Sequence, residues 1–116
     1  MESRTFNAGD AIFRQGDAAN DEAYLVHEGA VEVRRSEDGE ERLLRTLGKG
    51  DLLGEVALFR SAPHSATATA IEPVTVLVIP ERRLEDLVRT NPELALALIR
   101  QLARMAAGED SKSFRG

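Results

Sequence analysis

The chain has 116 residues, 42% of them hydrophobic and 30% charged, which is room for one folded domain and ordinary for a globular protein rather than a disordered one. It has no cysteine and two histidines, which removes disulfides, thiolate nucleophiles, iron–sulfur clusters, cysteine zinc sites and three-histidine metal sites. The net charge of −5, with its basic residues scattered along the chain, argues against a nucleic-acid footprint.

In chain order, the first two-thirds read as strands and turns. Phe6-Asn-Ala-Gly9-Asp10 is echoed by Phe13-Arg-Gln-Gly16-Asp17 and again by Leu47-Gly-Lys-Gly50-Asp51. Each unit reads as an apolar anchor closing a short strand, then a turn in which glycine takes a positive φ and aspartate bonds the local backbone. Glu22–Glu28 reads as a strand that Gly29 breaks. Ala30–Arg34 alternates apolar and polar residues, as a half-buried strand does. Asp38-Gly39 is a hairpin signal and joins that strand to Arg42–Leu47. Glu37–Arg42 reads as a solvated hairpin. Ser65–Ile71 is a strand with small residues on one face. Val74–Ile79 is strongly apolar and reads as buried on both faces.

Pro80 closes the β part. Glu81–Arg89 places Leu84, Leu87 and Val88 on one helical face. Asn91-Pro92 supplies an N-cap and a first-turn proline for a second helix over Pro92–Ala107. Residues 109–116 read as a polar tail. No apolar run approaches the roughly 20 residues a membrane span needs, and Met1–Arg4 opens no secretory signal. The expected location is the cytoplasm, without membrane insertion.

Between Gly50-Asp51 and the small-residue strand lies Leu53-Gly54-Glu55-Val56-Ala57-Leu58-Phe59, followed by Arg60-Ser61-Ala62-Pro63-His64-Ser65-Ala66-Thr67. Gly54 would allow close backbone approach to a ligand. Glu55–Phe59 can form a short helical turn whose free N–H groups make an anion site. This stretch resembles the phosphate-binding cassette of the cyclic nucleotide-binding domain family, whose pattern is Gly-Glu-(apolar)-Ala-Leu, a short loop, then Pro-Arg-(small)-Ala-Thr. The family includes protein kinase A regulatory subunits and bacterial catabolite-activator-type regulators. The likeness extends over the opening strands, the Tyr24–Val33 region and the Asn91-Pro92 break.

The resemblance implies a double-stranded β-helix, a jelly-roll-like β-roll of about eight antiparallel strands over residues 3–80. It also implies a short cassette helix and two C-terminal helices over residues 81–107, all in one domain of residues 1–108. It implies no enzyme and no cofactor, but a sensor of cAMP or cGMP. The ligand-binding set is Gly54, Glu55, Val56, Ala57, His64, Ser65 and Ala66, with Glu55 on the ribose 2′-hydroxyl and the amides around Ala57 on the phosphate. The cassette arginine is replaced by His64. That exchanges a bidentate, permanently charged group for an imidazole with an ordinary pKa of about 6.5. The expected loss is on the order of tenfold to a hundredfold in affinity.

Two readings of His64 stand. In one it is protonated and still holds phosphate, so affinity rises as pH falls. In the other the pocket is lost, and the domain serves as a protein-interaction or oligomerisation module. A metal-binding cupin-type enzyme would need clustered histidines, and His27 and His64 are isolated in the sequence. The output is expected to pass to an effector protein or fused domain, since no helix-turn-helix, kinase or channel segment is present. The apolar stripe of Leu94–Met105 is expected to act as a mobile lid or as a homodimer contact.

Overall fold

In the computed structural model, described over residues 2–54, 62–93, 95–96 and 99–100, eight strands are formed. They are β1 (Ser3–Phe6), β2 (Ala11–Phe13), β3 (Glu22–Glu28), β4 (Val31–Glu37), β5 (Glu40–Leu47), β6 (Leu52–Leu53), β7 (Thr67–Ala70) and β8 (Val74–Pro80). Two four-stranded antiparallel sheets result, in the orders β1-β8-β3-β6 and β2-β7-β4-β5. Among the described strands only the β4–β5 hairpin stays within one sheet, turning through Asp38 and Gly39, both at positive φ. Every other connection carries the chain from one sheet to the other, which is the winding of a jelly-roll-like β-roll.

The three Gly-Asp units are corners of this winding. They sit between β1 and β2, between β2 and β3, and between β5 and β6. In each, the aspartate N–H donates to the carbonyl three residues back: Asp10 to Asn7, Asp17 to Arg14 and Asp51 to Gly48, all at 3.0 Å. In each, the aspartate Oδ2 accepts the N–H of that same residue, at 2.8, 3.0 and 2.9 Å. With glycine at the third position in left-handed φ, these are type II turns.

Each turn also grips one residue of a neighbouring segment. The Gly9 N–H donates to the Ala70 carbonyl while the Ala70 N–H donates to the Asp10 carbonyl. Gly50 and Asp51 treat Val26 in the same way, and Gly16 and Asp17 treat His64. Two residues opposing one is a β-bulge, a device that bends a strand sharply. The turn residues legible in the sequence therefore build the corners that let the chain change sheets.

The core lies between the sheets. Tyr24, Val26, Leu53, Val74, Val76 and Val78 from one sheet meet Val31, Val33, Leu47, Ala66, Ala68 and Ala70 from the other side, with Phe6, Ile12, Phe13 and Leu44 at the margins. Burying each valine is worth roughly 1.5–3 kcal/mol. A second, smaller cluster of Ala23, Leu52 and Ile79 occupies the opposite face of the first sheet, with Leu25 and Val88 against it. Val88 belongs to helix α1 (Glu81–Thr90), so α1 packs on the outside of β3 and β8.

This arrangement modifies one expectation. On β8 the inward residues Val74, Val76 and Val78 are buried, but outward Thr75 and Leu77 are only partly covered and Ile79 alone is buried there. The second face is closed only where α1 lies over it. β6, two residues long, is too short to show any periodicity, yet it serves both clusters, Leu53 inside and Leu52 outside.

After α1, residues 92, 93, 95, 96, 99 and 100 are helical. The Asn91 carbonyl accepts the Ala95 N–H, as an N-cap residue's carbonyl does. Leu96 and Ile99 are exposed. The cassette helix expected over Glu55–Phe59, the remainder of the Pro92–Ala107 helix and the tail at residues 109–116 lie outside the described residues. Among the described residues no helix is long and apolar enough to cross a membrane.

Candidate functional site

Of the expected ligand-binding residues, the structure describes Gly54, His64, Ser65 and Ala66, whereas Glu55, Val56 and Ala57 lie outside the described residues, as does Arg60. Gly54 and His64 come together. Gly54 follows β6 with φ +81°, and a Cβ placed on it would lie 3.5 Å from the His64 Cε1, 3.5 Å from a Phe13 ring carbon and 3.3 Å from a Tyr24 ring carbon. The glycine answers to two demands here, a left-handed backbone and a tight aromatic surround.

His64 is buried, with 6% of its surface exposed. Its imidazole stacks flat on Phe13, with ring centroids 3.8 Å apart and planes inclined by 12°. Phe13 in turn faces Tyr24 at 6.2 Å. Burial pushes the His64 pKa below its ordinary value, and the nearby Asp17 carboxylate offsets this only in part. Near neutral pH the ring is therefore uncharged. Its backbone is fixed from both sides by Gly16 and Asp17, at 2.8 and 2.9 Å.

The same turn secures the rest of the segment. The Gln15 N–H donates to the Thr67 Oγ1 at 2.9 Å. The Gln15 side-chain amide spans to β4, its Nε2 donating to the Ser36 carbonyl at 3.1 Å and its Oε1 accepting the Ser36 N–H at 2.8 Å. Ser65 is exposed and Ala66 buried. The Ser65 carbonyl accepts a hydrogen bond from the Arg35 Nε at 3.1 Å.

The Tyr24 hydroxyl joins the aromatic group to a polar network near the starts of β1 and β3. The Tyr24 hydroxyl donates to the Glu22 Oε1 at 2.8 Å, and that oxygen also accepts from the Arg4 Nη1 at 3.0 Å. Burial and the Glu22 carboxylate push the Tyr24 phenol up to about 12, so it remains a neutral donor.

Phe13, Gln15, Tyr24 and Arg35 were not singled out as site residues from the sequence. Phe13 did carry a signal, as the anchor of the second Gly-Asp unit. Arg35 carried none, because a strand arginine is ordinarily a solvent-facing residue.

The jelly-roll-like β-roll thus brings Gly54 against His64 of the Pro63-His-Ser-Ala-Thr67 segment. Residues 3–91 match the family described as "Cyclic nucleotide-binding domain", and the chain belongs to that family. It is 33% identical over 100 residues to a CRP-like cAMP-activated global transcriptional regulator of Mycobacterium tuberculosis, covering 85% of this chain and 44% of the relative. It is 36% identical over 105 residues to a cyclic AMP receptor protein of Thermus thermophilus, covering 90% and 48%. The crystal structure of the Thermus thermophilus catabolite activator protein superposes with a TM-score of 0.78 at 36% identity, over 91% of this chain and 50% of that one. The chain thus spans less than half the length of these curated relatives.

Proposed function

We propose that this chain is a non-enzymatic regulatory domain that binds cAMP or cGMP in its β-roll and passes the bound state to its C-terminal helices and, through them, to an effector protein or fused domain. The reading rests on family membership together with one observation: Gly54 and His64, 10 residues apart in sequence, come together beside the rings of Phe13 and Tyr24. Glu55 takes the ribose hydroxyl, and the amides at Val56 and Ala57 take the phosphate. His64, Ser65 and Ala66 form the opposing wall, with His64 as a neutral ring. The domain spans residues 1–108 and works in the cytoplasm.

Calorimetric titration with cAMP and with cGMP tests this. Saturable binding of either, weakened by Glu55→Ala, supports it. A second reading is favoured by the burial of His64 at the cassette arginine's position, where a neutral ring replaces the expected cation. In that reading the roll has kept its fold and serves as an interaction or oligomerisation module. Absence of any binding heat with both nucleotides selects it.

A further inference from the structure

A cyclic phosphodiester is anionic, and His64, buried and stacked on Phe13, offers it no charge near neutral pH. β4 places another cation beside the same segment. Val31 and Val33 point into the core opposite Ala70 and Ala68 of β7. The period-2 alternation of the strand puts Arg35 on that inner face, and the next step of the register brings it beside Ala66. Its Nε donates to the Ser65 carbonyl at 3.1 Å, which ties the guanidinium to the residue following His64.

Two further observations set Arg35 apart. First, Arg4 pairs with Glu2 and Glu22, Arg34 with Glu32, and Arg42 with Glu37. Arg35 has no carboxylate within ion-pair distance among the described residues. Second, Arg35 stands directly opposite Arg42 across the β4–β5 ladder. Like charges in that position repel, and the Arg42 Nε is buried with no hydrogen-bond partner among the described residues. On this inner face Arg35 lacks a carboxylate, and Arg42, whose charge Glu37 meets, still holds an orphaned Nε–H donor, so an anion would find one unmatched guanidinium and one free N–H there.

We propose that Arg35, with the Arg42 Nε–H as a neighbouring donor, takes the charge of the cyclic phosphate in this chain, in place of the cassette position that His64 fills. The proposal rests on the cyclic nucleotide reading and moves the anion's partner from the cassette to the adjacent strand. It makes Arg35 a ligand-binding residue that the cassette pattern does not contain.

The test is calorimetric titration of the 116-residue chain with cAMP, for the natural protein and for Arg35→Gln, Arg35→Lys and Arg34→Gln, with melting curves to verify folding. Arg35→Gln is expected to weaken binding on the order of tenfold to a hundredfold and to flatten its salt dependence. Arg35→Lys keeps the charge and should recover part of the loss. Arg34→Gln, on the outer face, should change nothing. Natural protein that binds while Arg35→Gln binds equally well overturns the proposal and leaves the nucleotide reading intact; no binding by the natural protein overturns both. A second readout needs no variant. Addition of cAMP should shift the Arg35 Nε–H resonance and leave that of Arg34 in place, and an unmoved Arg35 signal overturns the proposal even if the Gln variant fails to fold.

Discussion

The first and third Gly-Asp turns differ from the second in what they hold. All three make the same internal hydrogen bonds and grip one residue of a neighbouring segment through both of its backbone groups. The first grips Ala70 and the third grips Val26, both apolar and buried in the core. The second grips His64, and its anchor Phe13 also stacks on that ring. One corner module therefore serves the fold twice and the site once. A structural unit becomes a functional one by a change in what it clamps, not in its own geometry.

The sharpest way to break this comparison is to separate conformational cost from steric cost at left-handed glycines. A Cβ on Gly29 would lie 2.3 Å from the Pro73 carbonyl oxygen and 2.9 Å from the Val74 Cα, whereas a Cβ on Gly9 meets nothing within 4 Å. Urea unfolding should show Gly29→Ala destabilised by about 2–5 kcal/mol, from backbone strain plus overpacking, and Gly9→Ala by only about 1–2 kcal/mol. Equal losses would mean that packing around Gly29 relaxes freely.

Gly54 comes next, because it borders the site. Gly54→Val should cost about 2–4 kcal/mol through its φ and the aromatic rings around it. Glu40→Ala, on the exposed hairpin, should stay within about 0.5 kcal/mol. Smaller effects are expected at the aspartates. Asp10→Ala, Asp17→Ala and Asp51→Ala each remove one side-chain bond to a backbone N–H, and each should cost about 1 kcal/mol. Only Asp17→Ala should also move His64: losing the carboxylate that favours the imidazolium lowers its pKa further, which histidine NMR titration reads directly.

The smallest effect is the pH dependence of stability. His64 has a pKa lowered by burial in the folded protein, so the unfolded chain binds its proton first. The contribution of this group is fully present above about pH 6.5 and is lost as pH falls through that value toward the folded pKa. The melting temperature should therefore drop on acidification from pH 7 to 5, and a His64→Gln variant should show a shallower drop.

Much of this was legible in the sequence for identifiable reasons. Turn chemistry is local, so Gly9-Asp10, Gly16-Asp17, Asp38-Gly39 and Gly50-Asp51 announced their turns from residue type alone. Strands β3, β4 and β8 carried enough alternation or apolar content to be placed within a few residues. β6 was invisible because two leucines have no period. The partial exposure of Thr75 and Leu77 depended on where α1 docks, which is a tertiary fact. The site divides in the same way. Gly54 and His64 stood out through a motif, but the stacking of His64 on Phe13 joins residues of different strands. Arg35 acquires its meaning only from the β4–β7 register that sets it beside Ala66 and Ser65.

The central claim is that His64 is a buried, neutral ring held by the second Gly-Asp turn, and that the phosphate's charge is met elsewhere. The most direct test is an NMR titration of the His64 imidazole between about pH 4.5 and 8, without and with saturating cAMP. The account predicts a midpoint below the ordinary histidine value in the free protein and no upward movement when cAMP binds. A midpoint that rises on binding, with affinity increasing as pH falls, would contradict it and return the phosphate to His64.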